Sequence, residues 1–308
     1  MLFDWYVVAS KSCCTAENII SNANVAQLQA KTAGGGSYRV FEPDMNKLLL
    51  LRRHLETELR ISFRERQLEL QYLPISDLRT GEVIAYEALI CWQHPTKGLL
   101  SSESFMELAE ETGLALDISH WALEQACLDA MQWVRPWKVS VNIPTKVVVS
   151  QSLFMQVSKV LESTRLPADR LELEIKEDVY YENVDRVKKL FTELQDMGVS
   201  ISLDEFGAGH SSMKALLQLP INKVKILSDI VRGSESSQQD LLLLRSIIGL
   251  AKSIGLKTVA LGADFNSQQM LIKTEGCDEL QSSIATAPSI QPLKRQEGTE
   301  VHDKATAA

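Results

Sequence analysis

Along most of the chain, short alternating or continuous apolar runs are followed by longer stretches with helical spacing. Period-two alternation, or an apolar run bounded by turn residues, predicts strands over 69–75, 83–91, 137–142, 170–175, 199–204, 222–226, 256–260 and 278–281. Between most of them lie helical patterns of roughly 10–20 residues. "SSESFMELAEETG" stops at Gly113 and "NVDRVKKLFTELQDMG" stops at Gly198. A glycine just past the last turn is the usual helix stop, because it accepts a left-handed backbone without a Cβ clash. About eight strand–helix units in roughly 220 residues predict an α/β fold, a TIM-like (β/α)8 barrel. An open doubly wound sheet is the alternative. No glycine-rich phosphate loop follows the first strand, which weakens a nucleotide-cofactor reading.

The flanks read differently. Residues 46–66 predict one long helix, with Leu48, Leu51, Leu55, Leu59 and Phe63 at helical spacing. It is read as a linker helix packed on the following domain, with a signalling or dimerising helix as the alternative. Residues 1–45 hold a short apolar stretch, a helix pattern at 16–31, a glycine break at 34–36 and a short strand, "SYRVFEP". That is too little to build a core of its own. The polar tail, 291–308, predicts disorder.

Composition narrows the function. Apolar residues make up 45% and charged residues 23%, a globular balance with ample material for a core. The net charge of -8 argues against a nucleic-acid polymer as partner, which wants a basic face. A small anionic ligand held by a local cluster stays open. The five cysteines, Cys13, Cys14, Cys91, Cys127 and Cys277, are odd in number and form no CxxC pair. They read as buried thiols in a reducing compartment, with Cys13–Cys14 as a reactive pair the minor alternative. No apolar run approaches the roughly 18 residues of a membrane span. "MLFDWYVVAS" lacks a basic n-region and is interrupted by Asp4, so it is not read as a signal peptide. The expectation is a soluble, cytoplasmic protein.

In a barrel of this kind, function sits at the C-terminal ends of the strands. Polar residues fall there. Glu87 lies in "VIAYEALICW", Asn142 ends "WKVSVN", and Glu174 sits in "LELEI" with Glu177 just after. Asp204 and Glu205 end "SISL", Lys225 lies in "VKIL", and Gln281 ends "DELQ". Each alone has a bland reading: a strand-end Asn is a turn former, and Glu172 beside Glu174 alternates outward. Together, carboxylates and an amide oxygen on one face suit a hard cation, Mg2+ or Mn2+. Zinc is disfavoured, because no His or Cys joins the set. Lys225 suits an anionic phosphate or an attacking water. The implied chemistry is metal-assisted phosphodiester hydrolysis, against polar strand ends that are structural in an enzyme of another class.

The stretch "YEALICWQHPTKGLLSSESFMELAEETGL" (86–114) resembles the signature region of EAL-domain cyclic di-GMP phosphodiesterases. "SVNIP", "LELEIKED", "LDEFGAGHSSM", "INKVKIL" and "GCDELQ" follow in the family's order and spacing, so the resemblance spans residues 67–290. It implies a barrel with one antiparallel strand, with metal ions at the strand ends. It also implies that Glu87, Asn142, Glu174 and Asp204 are metal ligands, and that Lys225 and Glu205 stand at catalytic positions. Glu177, Gln281 and Leu89 are implied as ligand-binding or site-supporting. Residues 1–45 resemble the end of a GGDEF diguanylate cyclase domain without its catalytic signature. This implies a fragment or truncated product of a tandem cyclase–phosphodiesterase protein.

The departures from the family pattern are as specific. Glu205 replaces the second of two aspartates. Cys91 stands where the family has a phosphate-contacting arginine, and Leu73 where it has a glutamine. Leu227 replaces an aspartate and Leu261 a glutamate. Ser282 replaces a glycine and Ala287 a basic residue. Gly207 and Gly209 still permit a tight loop, and His210 reads as loop packing. These losses point to a degenerate module with little or no hydrolysis, acting through cyclic di-GMP or a protein partner. The alternatives are an active phosphodiesterase releasing linear pGpG, and a truncated product without a selected role. A homodimer through the barrel or the linker helix is the expected assembly.

Overall fold

The computed structural model describes residue 15, residues 20, 22–24 and 26–27, and residues 40–282 except 151 and 208–212. The expectations for most of the cyclase-like segment fall outside the described residues. So do those for Cys13, Cys14, Gly209, His210, Ala287 and the tail. The chain divides into two compact units between Glu65 and Arg66. In the first, helix α1 runs Pro43–Arg64. It begins three residues before the expected start, because Pro43 supplies a preset φ and lacks the N–H that a first turn leaves unpaired. Arg66 adopts φ 58, a left-handed residue beyond the helix end.

The second unit is a closed barrel. Its strands are β1 (Leu68–Asp77), β2 (Val83–His94), β3 (Gly98–Ser101), β4 (Lys138–Asn142), β5 (Leu171–Lys176), β6 (Ser200–Phe206), β7 (Lys223–Ile226), β8 (Lys257–Leu261) and β9 (Glu279–Gln281). Pairing follows the order β1-β9-β8-β7-β6-β5-β4-β2-β3, and a β1–β2 ladder closes the ring. β1 is antiparallel to both of its neighbours, and the ladders from β2 through β4 to β9 are parallel. The fold is therefore a TIM-like (β/α)8 barrel with one reversed strand. β3 lies outside the ring as a hairpin partner of β2; its four residues, "GLLS", are too short to show a period in the sequence.

The helices stop where their glycines require. Gly113 has φ 77 and Gly198 has φ 102, the left-handed turn that ends each helix. On the inner wall, period two puts Glu172 and Glu174 on the same face of β5, and both are buried. This corrects the outward reading of Glu172. Its carboxylate lies 3.0 Å from Lys223 Nζ, which also lies 2.6 Å from Glu279. A buried charge is tolerated only when paired, and these three residues pair one another across β5, β7 and β9. They form a lower ionic level inside the barrel. Ile75, Ala85 and Val259 form an apolar cluster on β1, β2 and β8, with Leu261 packed on it.

Candidate metal and phosphate site

The upper ionic level is two residues further along the same strands, at their C-terminal ends. Lys225 follows Lys223 by two positions, as Glu174 follows Glu172 and Gln281 follows Glu279, so one pleat carries both levels. Lys225 is 1% exposed, and its Nζ donates to Glu174 Oε2 at 2.7 Å and to Glu87 Oε2 at 2.9 Å. Asp204 Oδ1 is 3.9 Å away. Glu87 also accepts from Asn142 Nδ2 and from Gln281 Nε2. Six of the residues singled out in the sequence, Glu87, Asn142, Glu174, Asp204, Lys225 and Gln281, are thus brought together from six strands.

The electrostatics follow from burial and from Lys225. Burial alone would raise the Glu87 carboxyl, but Lys225 and the hydrogen bonds from Gln281 and Asn142 outweigh it and hold it below the ordinary range. Glu174 is pushed well above its ordinary value by burial and by the Glu87 charge, against the pull of Lys225. Asp204 is also raised, chiefly by burial. Burial opposes the Lys225 charge, yet Glu174, Glu87 and Asp204 raise its pKa well above the usual.

Other predicted positions fall elsewhere. Glu205 sits in a β-bulge, where Asp204 and Glu205 together oppose a single residue of β7. It adopts φ 52, a left-handed conformation rare outside glycine. Its Oε2 lies 2.9 Å from Lys176 Nζ at the rim, away from Lys225. Glu177 opens the 3-10 turn Glu177–Tyr181 directly after β5. Leu89 lies on the Glu87 face of β2, opposite Gln71 of β1, and Leu73 is the β1 partner of Glu87. Leu227 caps the helix Ser228–Gly233 that follows β7. Ser282 Oγ donates to Asp264 Oδ1 at 2.7 Å, and Asp264 also pairs with Arg232.

Cys91 pairs in register with Glu69. Burial first, and then the Glu69 charge, push its thiol up to about 11, so it is neutral. An uncharged thiol beside a carboxylate is a poor place for a phosphate. Lys176 and Glu69 were not legible as site residues in the sequence. Each matters only through its cross-strand neighbour, and only the strand register reveals that.

Whether the residues fit a hard cation can be tested on their unmet acceptors. Glu174 Oε1, Asp204 Oδ1 and Gln281 Oε1 are buried without a hydrogen-bond partner. All three are oxygens, the donor type that Mg2+ and Mn2+ take, and buried polar atoms seldom stay unmet. Among the described residues, no group of three or more His, Cys, Asp or Glu side chains is drawn together around one point; the Glu87 and Glu174 carboxylates bond to Lys225. The donor chemistry fits such an ion, which would have to share Glu87 and Glu174 with that lysine.

Comparison with known proteins places these features. The model of the EAL domain matches residues 56–282. Cyclic di-GMP phosphodiesterase NbdA of Pseudomonas aeruginosa is 34% identical over 276 residues, covering 88% of this chain and 35% of that protein. Protein y4lL of Sinorhizobium fredii is 35% identical over 280 residues, covering 91% of this chain and 34% of its own length. The solved PaMucR phosphodiesterase–c-di-GMP complex superposes with a TM-score of 0.73 at 32% identity, covering 76% of this chain and 97% of that one. The chain spans about a third of the length of these two curated relatives. Among the described residues, no helix is long and apolar enough to cross a membrane.

Proposed function

The chain belongs to the EAL domain family, and on that premise we propose that it is a module of cyclic di-GMP signalling that binds without cutting. It has little or no phosphodiesterase activity and acts through cyclic di-GMP or a protein partner. The observation that carries this reading is the direction of Glu205. Its carboxylate is paired with Lys176 at the rim, so only Asp204 of the acidic pair faces the buried charges. A misplacement of about 1 Å in a reacting group can cost on the order of 100-fold in rate.

Two further positions support the same reading. Leu261 stands where the resemblance implies a glutamate, and it packs on Ile75, Ala85 and Val259. It can neither accept a proton nor orient water, and loss of a general base typically costs about 100- to 10,000-fold. Cys91 offers a neutral thiol beside Glu69 in place of a bidentate arginine.

Glu87, Asn142, Glu174 and Asp204 are the residues that would hold Mg2+ or Mn2+, which when bound supplies positive charge against a phosphate. The chain's own groups do the rest. Lys225 fixes the carboxylates of Glu87 and Glu174 by donating to both. Asn142 and Gln281 hold Glu87 from either side.

Calorimetry with cyclic di-GMP, followed by chromatography of the recovered ligand, tests this reading. Binding heat with intact cyclic dinucleotide is the expected result for the sensor form, and no heat with intact ligand is expected for a partner-binding form. Conversion of the recovered ligand to linear pGpG would overturn both.

A further inference from the structure

Lys176 is not part of the ligand set described above, yet it stands at the mouth of the acid cluster. It ends β5 and lies in register opposite Asp204 of β6. Its Nζ is 2.9 Å from Glu205 Oε2. The bulge at 204–205 and the left-handed backbone of Glu205 turn that carboxylate toward it. The two consecutive acids are thereby split, Asp204 facing Lys225 and Glu205 facing Lys176.

We infer that Lys176 is a built-in counter-ion that limits this site to a single divalent cation. The inference rests on the functional reading, in that it takes the upper ionic level to be open to Mg2+ or Mn2+. The geometry supports it: of the two consecutive acids, Glu205 is held at the rim by Lys176, and only Asp204 faces the Lys225 side. The unpartnered buried oxygens, Glu174 Oε1, Asp204 Oδ1 and Gln281 Oε1, lie on the Lys225 side and leave acceptors for that one ion. While Lys176 holds Glu205 Oε2 at the rim, the second acid of the pair is turned away from the Lys225 side, where a second ion would need it.

Lys176 is 59% exposed at its side chain, so it can be replaced without opening the core. The test counts Mn2+ bound to the full chain by equilibrium dialysis and by electron paramagnetic resonance of the free ion, up to about 1 mM Mn2+, the weak end of oxygen-ligand sites. The unaltered chain is expected to bind one equivalent, Lys176→Ala two, and Lys176→Arg one, since arginine restores the rim charge. A count of one for Lys176→Ala overturns the inference, as does a count of two for the unaltered chain, which leaves the functional reading standing. No Mn2+ bound by any of the three overturns the inference together with the metal part of that reading, while the cyclic di-GMP calorimetry still tests the rest.

Discussion

Replacing Lys225 with methionine keeps an unbranched side chain one atom shorter and removes its charge. In the folded protein that charge makes hydrogen bonds of 2.7 Å to Glu174 and 2.9 Å to Glu87. Charge-assisted bonds contribute about 1.5–3 kcal/mol each, so the pair is worth roughly 3–6 kcal/mol. Breaking a buried pair typically costs about 3–5 kcal/mol, because the partner is left charged in a dry site. Proton uptake by the orphaned carboxylates relieves part of this, so about 3–5 kcal/mol is the expected loss. For a unit of this size, about 2–4 °C is lost per kcal/mol, giving a melting point lower by roughly 6–20 °C.

The pH dependence carries the sign. Lys225 lowers the pKa of both Glu174 and Asp204, so its removal raises acids that burial already holds high. Such acids bind more protons folded than unfolded, and their contribution to stability falls as pH rises through the interval between the two pKa values. The deficit of Lys225→Met should therefore be large at pH 8 and smaller at pH 5. Urea melts followed by circular dichroism in EDTA, at both pH values, measure it. A variant within about 0.5 kcal/mol of the parent at pH 8, or a deficit that grows on acidification, would refute the reasoning.

Other outcomes test neighbouring claims. Lys223→Met should cost a similar 3–5 kcal/mol, roughly, through Glu172 and Glu279, while leaving the Mn2+ count unchanged; dialysis and melts on one preparation decide both. Burial holds the thiols of Cys91 and Cys277 near 11 and Cys127 near 12, so iodoacetamide at neutral pH should leave all three unmodified until the chain is unfolded, as read by peptide mass mapping. Adding Cys91→Arg, Glu205→Asp and Leu261→Glu together should bring measurable cyclic di-GMP hydrolysis, and a triple variant that folds but stays silent would show that the list of lost groups is incomplete.

The strands were legible because burial on one face imposes period two, and their predicted limits differ from the observed ones by three residues at most. That Glu87, Asn142, Glu174, Asp204, Lys225 and Gln281 meet at one end of the barrel is legible because polar side chains at the ends of apolar strands have few other uses. What stayed hidden depends on geometry that no residue type encodes. The lower ionic level is not legible, because in the sequence Glu172 and Lys223 look like surface residues and only the strand register pairs them inside the barrel. The parting of Asp204 from Glu205 depends on the sign of one backbone angle and on a bulge. The nearness of Lys176 to the acidic pair is set by the register of β5 against β6, which the sequence does not show.

The central claim is that the chain keeps the EAL scaffold and has lost its chemistry. Cyclic di-GMP incubated with enzyme in excess and Mn2+, and followed by chromatography for linear pGpG, tests it most directly. The expected result is no linear product above the buffer control. Turnover by the unaltered chain that disappears in Glu87→Ala would contradict it.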